Sequence, residues 1–381
     1  MLHAAAAALF LAAVPIDRPT TQELEAFGRD IAADFAQGRD GLSTRLDFDA
    51  FLERVLAPLR ADEDFKRDFR SGALRAGLPI GKALLTFLGP KGRVAFRRVD
   101  ATGGDVVYLR LISEKGAFNF VKLLVARDAK GALRVVDVYS LTSGNLTSED
   151  VRQIAVMALA ESRQGLLDRL AGSERLLLTN VKAVRRMGDA SLAGRSAEAF
   201  QVWSELPREL RESRIFLLQS VSLAMAVGDD PYRRQVERYL QLYPKDPAAR
   251  VIAIDACFLR RDWACADEAV SGVERWLGVA DGWLLTLHGM VAVSAGRRAD
   301  ARAAYRRAIE VEPTLVEPYA NLLDLVLADR DWKSTADLLG KLERDAGVVL
   351  DDLTQVESFR PFLASAEGKA FKRRRAAGAR K

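Results

Sequence analysis

Histidine occurs only twice in the 381 residues, as His3 and His288. A Ser-His-Asp triad, a Cys-His pair or a multi-histidine zinc site would have to be built around His288 alone. No catalytic residue, metal ligand or cofactor site is therefore assigned, and a non-enzymatic protein is expected. Cysteine also occurs twice, as Cys257 and Cys265. Two cysteines make no disulfide framework, and a separation of eight residues is not the CxxC redox motif. The apolar run from Ala4 to Val14 is too short to span a bilayer. Net charge is small, +5, and unevenly placed: the last thirteen residues carry seven Lys/Arg and no acid. Removing those seven leaves the rest at −2, so the body lacks the basic footprint of a specific nucleic-acid binder.

What is present is the composition of a soluble globular chain, 49% apolar and 29% charged, long enough for two or three domains. The run Ala4–Val14, followed by Pro15, resembles the h-region of a secretory signal, with small Ala12 and Ala13 near a cleavage point. No Lys or Arg precedes it, and no cysteine is there for lipid attachment. Export, with residues 1–19 as the signal, is the expectation. A buried N-terminal helix in a cytoplasmic protein, or a misplaced start, is the alternative.

Leu24, Phe27, Ile31 and Phe35 recur at spacings of three and four, which predicts a helix over 20–36. Asp47 can cap a second helix with Phe48, Phe51, Leu52, Val55 and Leu56 on one face. A third helical stretch, 65–88, is interrupted by Gly72, Gly77 and Pro79. The period then becomes two. Four strand candidates, at 92–100, 105–113, 117–128 and 132–141, are separated by TGGD, EKG and DAKG turns. Helices followed by an antiparallel meander make an α+β domain over 20–147. Val107, Leu109 and Leu111 should share one face, and Val106, Tyr108 and Arg110 the other.

The long strand pair ending in Asp137-Val138-Tyr139 resembles the nuclear transport factor 2-like fold, an α+β cone. The resemblance implies a sheet wrapped on helices, in a bacterial protein that joins such a domain to repeats. Catalytic members commonly use a His-Asp pair inside the cone. This segment has no histidine, so no enzymatic role is carried over. Ser148 can cap a connecting helix over 148–172.

In 282–315, Gly289, Gly296, Ala301, Tyr305, Ala308 and Pro313 fall at positions 8, 15, 20, 24, 27 and 32 of a 34-residue unit. That spacing resembles the tetratricopeptide repeat. Small residues let two antiparallel helices approach, Tyr305 fills the gap, and Pro313 ends the second helix. Tyr319, Leu322, Trp332 and Leu339 continue the pattern, and Trp263 and Ala266 carry it backwards. About five units are expected over 173–349, the first irregular, with a capping segment at 350–368 and a basic tail at 369–381. A generic α-solenoid is the alternative architecture.

The resemblance implies a protein or peptide partner on the inner surface, at positions 2, 5, 9, 12 and 13 of each unit. Those positions place Met225, Phe258, Trp283 and Met290 in a groove, with Trp283 as its anchor. Packing of the same side chains on neighbouring helices is the competing reading. Carboxylate-clamp repeats use Lys and Asn on this surface, and only Asn321 has the right type; it is the fifth residue expected in the groove. Cys257 and Cys265 flank the turn Arg260–Asp262. We favour two separate small core residues, and a disulfide in an exported protein is the other reading. The tail reads as a solvated end, or as an electrostatic contact for an anionic surface. The main alternative function is a ligand-binding or weakly enzymatic cone, with repeats for oligomerisation or recruitment. A third is a cytoplasmic adaptor whose tail touches nucleic acid.

Overall fold

The computed structural model describes residues 18–59, 61–102, 104–162, 176–177 and 179–378. The expected signal segment, apart from its last two residues, and positions 163–172 of the expected connecting helix lie outside these described residues. The chain separates into two compact units, Met1–Thr179 and Asn180–Lys381.

In the first unit, α1 (Thr21–Ala36) opens on a capping box in which Thr20 and Glu23 satisfy each other's backbone N–H groups. The helix α2 (Phe48–Leu56) is capped by Asp47, whose carboxylate accepts from Ala50 N. Gly77 ends α3 (Glu63–Ala76), and α4 (Ile80–Leu88) follows. The strands β1 (Arg93–Asp100), β2 (Val106–Ile112), β3 (Phe118–Arg127) and β4 (Leu133–Ser140) form an antiparallel meander in sequential order. A fifth strand, β5 (Asn145–Leu146), pairs with β4, so the sheet has five strands and not the four expected. Two residues have no period to read. They pair because the turn after Ser140 folds the chain back on β4.

Val107, Leu109 and Leu111 of β2 are fully buried against Leu24, Ile31 and Phe35 of α1, together with Val121, Leu123, Val135 and Val138. The side of the sheet facing the helices is thus filled with apolar side chains. Tyr108 and Arg110, on the opposite face, are buried as well. A second cluster joins Phe51, Leu52, Val55 and Leu56 of α2 to Val151 and Ala155 of α5 (Thr147–Ser162). Asp137 ties β4 to the start of α5. Its carboxylate accepts from Ser148 Oγ at 2.6 Å, Ser148 N at 3.2 Å and Val138 N at 2.9 Å. Burial nevertheless pushes this carboxyl up from its ordinary value.

The second unit is a run of helical hairpins. They are α6 (Val181–Leu192) with α7 (Ser196–Glu205), then, after the short α8 (Arg208–Arg211), α9 (Arg214–Met225) with α10 (Asp229–Leu242). Next come α11 (Pro247–Leu259) with α12 (Trp263–Leu277), α13 (Gly282–Ser294) with α14 (Arg298–Val311), and α15 (Val316–Ala328) with α16 (Trp332–Arg344). From α9 to α16 each helix packs on the next. Ala301 and Tyr305 are buried. A Cβ on Gly289 would stand 2.3 Å from the Tyr305 ring, so the aromatic occupies the space that glycine leaves open. Four of the five described hairpin turns use a left-handed residue. Gly194 and Gly296 supply it at φ +73° and +74°, but Arg261 and Arg330 adopt it at +55° and +56°.

The last hairpin is closed by α17 (Arg360–Ala364) and α18 (Ala366–Gly378). The sequence places a solvated tail from residue 369, whereas the structure makes most of it helix. Phe371 is the cause: it is buried in the terminal core beside Phe362, while Arg375 bonds Leu350 O and pairs with Glu343. Lys372, Arg373 and Arg374 remain exposed.

Candidate functional site

Two of the first helices, α11 and α13, are held by an aspartate cap. Asp246 accepts from Ala248 N at the start of α11, and Asp281 accepts from Trp283 N and Leu284 N at the start of α13. These two caps hold the starts of α11 and α13. The first half of α13 is apolar on nearly every side and buried on nearly every side, through Gly282, Trp283, Leu284, Thr286 and Leu287. Trp283 is 6% exposed. It is a core residue and not the anchor that its nominal position suggested, because positions 2 and 5 of this unit are enclosed on all sides.

Exposure is concentrated in the second half of these helices. Met225 at the end of α9 is 62% exposed, Leu259 at the end of α11 39%, and Met290 and Val293 of α13 39% and 42%. Phe258 is half-buried and packs edge-on against Trp263, 5.6 Å between ring centroids. Asn321 of α15 is half-buried. Of the five residues expected to line a groove, Met225 and Met290 are open, Phe258 and Asn321 are partly so, and Trp283 is not. Leu259 and Val293 are apolar groups that the emphasis on aromatic and Met residues passed over, although the repeat register marks both.

Two carboxylates share this part of the surface. Asp255 of α11 is exposed and accepts a hydrogen bond from Tyr232 Oη at 2.6 Å. Protein crowding around it raises its carboxyl above the usual value, against the pull of Tyr232, and the phenol in turn is pushed far up. Asp324 of α15 is exposed. Among the described residues neither has a cationic partner.

The cysteines lie at the α11–α12 turn with Cα atoms 5.6 Å apart, and the structure joins their sulfurs. Two separate core thiols, the reading favoured from sequence, is not the arrangement seen, since the hairpin brings both side chains to one side of its turn. His288 of α13 sits between two carboxylates of α12: Nδ1 lies 2.6 Å from Asp267 Oδ1 and Nε2 3.3 Å from Glu274 Oε2. Burial opposes its charged form, but Glu274 and Asp267 outweigh that, and its pKa is raised. The two carboxylates lie on opposite sides of the ring, a geometry for a hydrogen-bonded clamp and not for a shared metal ion. Among the described residues no group of three or more His, Cys, Asp or Glu could hold a metal. No described helix is long and apolar enough to cross a membrane.

One arrangement in the first unit was not legible in the sequence. Arg98, Tyr108, Lys122 and Tyr139 stand in one cross-strand row of the sheet. Arg98 lies 3.9 Å over the Tyr108 ring, and Lys122 5.2 Å from both tyrosine rings. The row follows from strand register, which single-strand periodicity does not fix.

Fold and surface together define a class: an α+β unit joined to a unit of helical-hairpin repeats. No protein-family model matches the chain, and no curated protein matches it. Among solved structures, the crystal structure of MamA protein is similar at a TM-score of 0.38 and 15% identity, over 47% of this chain and 96% of that chain. A likeness of that size is too weak to carry an argument, and the repeat assignment rests on the hairpins themselves.

Proposed function

We propose that this chain is a non-enzymatic scaffold that binds a protein or peptide partner on the first-helix face of its repeat unit. The observation that carries the proposal is the recurrence of open apolar side chains, Met225, Leu259, Met290 and Val293, on successive first helices. Met225, Leu259 and Val293 stand at equivalent positions, 34 residues apart, and a repeated exposure of apolar groups marks a contact surface. The first unit is a nuclear transport factor 2-like cone in this account. Its interior is filled by Leu24, Ile31, Phe35 and their strand partners, which favours a structural role over ligand binding. Export is proposed as well. The apolar run Ala4–Val14 and the pairing of Cys257 with Cys265 support an oxidising compartment. Sequencing the N-terminus of the protein isolated from its source checks this. A chain starting at Met1 with reduced thiols would contradict it.

The test of binding is affinity capture from the source cell with the full chain and with Leu259→Glu/Met290→Glu. Both sites are surface positions, so the melting temperature should stay within a few degrees. Loss of the captured partner is expected. Retention of every captured protein by the variant would place binding elsewhere.

A further inference from the structure

The apolar groups of the first-helix face follow an unbroken register. Met225, Leu259, Val293 and Leu327 are spaced by 34 residues each, one per hairpin. About one helical turn before them runs a second row: Asp255, Met290 and Asp324, separated by 35 and 34 residues. Residues three or four apart share a helix face, so the two rows lie side by side. The first row is apolar throughout. The second alternates carboxylate, thioether, carboxylate.

Resting on the scaffold reading, we infer that this face takes an extended peptide segment with two cationic side chains about six residues apart and a large apolar side chain midway. The spacing comes from the helices. The first helices α13 and α15 touch, and packed helices stand roughly 8–10 Å apart; one such step per hairpin puts Asp255 and Asp324, two hairpins apart, about 20 Å from each other. An extended chain covers about 3.3 Å per residue and needs about six residues to span that distance. The midway side chain then meets Met290, with Leu259 and Val293 on its flanks.

Charge complementarity selects the occupant. Asp324 has no hydrogen-bond or ion-pair partner among the described residues, and Asp255 spends one oxygen on Tyr232 and leaves the other open. A cation on the partner supplies what the fold does not. Two carboxylates at the ends of the stripe repel phosphate, which disfavours nucleic acid and anionic lipid. The methionines suit a surface that must adapt to a side chain arriving from outside.

The probe is a fluorescein-labelled peptide with two lysines six residues apart and a leucine midway, titrated into the full chain by fluorescence anisotropy. Saturable binding that weakens with added salt is expected. Asp255→Asn/Asp324→Asn should weaken it about tenfold, the sum of two exposed ion pairs. Asp324→Asn alone, which breaks no internal hydrogen bond, should weaken it about threefold. Replacing both lysines by glutamate should abolish binding. Absence of binding, or equal affinity for the wild type and the double variant at unchanged melting temperature, overturns the inference. If the chain self-associates in sedimentation and the double variant disperses it, the occupant is a second copy and the inference is likewise overturned. Should the peptide fail while Leu259→Glu/Met290→Glu still loses a captured partner, the basic-peptide inference falls and the scaffold reading stands.

Discussion

Tyr305 and Gly289 are one structural decision made at two positions. The ring lies where a Cβ on residue 289 would stand, which lets α13 and α14 close on each other. Tyr305→Ala removes that filling and should cost about 3–5 kcal/mol in denaturant unfolding, as buried aromatic truncations do. A cost below about 1 kcal/mol would mean that Tyr305 does not support the hairpin. The hairpin turns offer the opposite sign. Arg330 holds a left-handed backbone that favours glycine, so Arg330→Gly should be stabilising by about 0.5–1 kcal/mol. Destabilisation would show that the arginine side chain contributes more than its backbone strain costs. Both sites were legible to different degrees. Gly289, Ala301 and Tyr305 announce themselves by spacing. Arg330 does not, because the repeat pattern expects glycine at the turn and a non-glycine there gives no sign of its conformation.

At the scale of elements, periodicity carried the helices of both units and the first four strands, since a period needs only a run of residues on one face. It failed where packing decides. The short β5 has no period, α18 is held by Phe371 and Arg375 within a basic run, and the burial of Trp283 depends on neighbours that enclose the start of α13. The clamp of His288 between Asp267 and Glu274 joins α13 to α12 and makes that junction sensitive to pH. The folded pKa is raised above the unfolded value of about 6.5. The clamp's stabilisation is therefore fully present below that value and is lost as pH rises through the folded pKa. Thermal melting from pH 5.5 to 9 should show this loss, and His288→Gln should flatten it. An unchanged pH profile in the variant would exclude the clamp as its source. The α11–α12 turn gives a redox counterpart. Reduction of Cys257–Cys265 should lower stability by about 2–3 kcal/mol, read as a shift in denaturant midpoint between oxidised and reduced protein. Identical midpoints would show that the bond adds nothing to the hairpin.

At the scale of the whole molecule, division into an α+β unit and a repeat unit was readable from the change of period along the chain. Which part of the repeat surface stays open was not. Repeat numbering treats positions 2, 5, 9, 12 and 13 alike, but caps and neighbouring hairpins bury Ala248, Trp283 and Thr286 while leaving Asp255, Met290 and Val293 open. This open stretch is where a partner is expected to bind. Site-specific photo-crosslinking in the source cell tests it most directly, with a photoreactive residue at Met290 and, as control, at the exposed Ala303 of α14. A discrete cross-linked protein is expected from position 290 and none from position 303. No product at 290, or the same product at both positions, would contradict it.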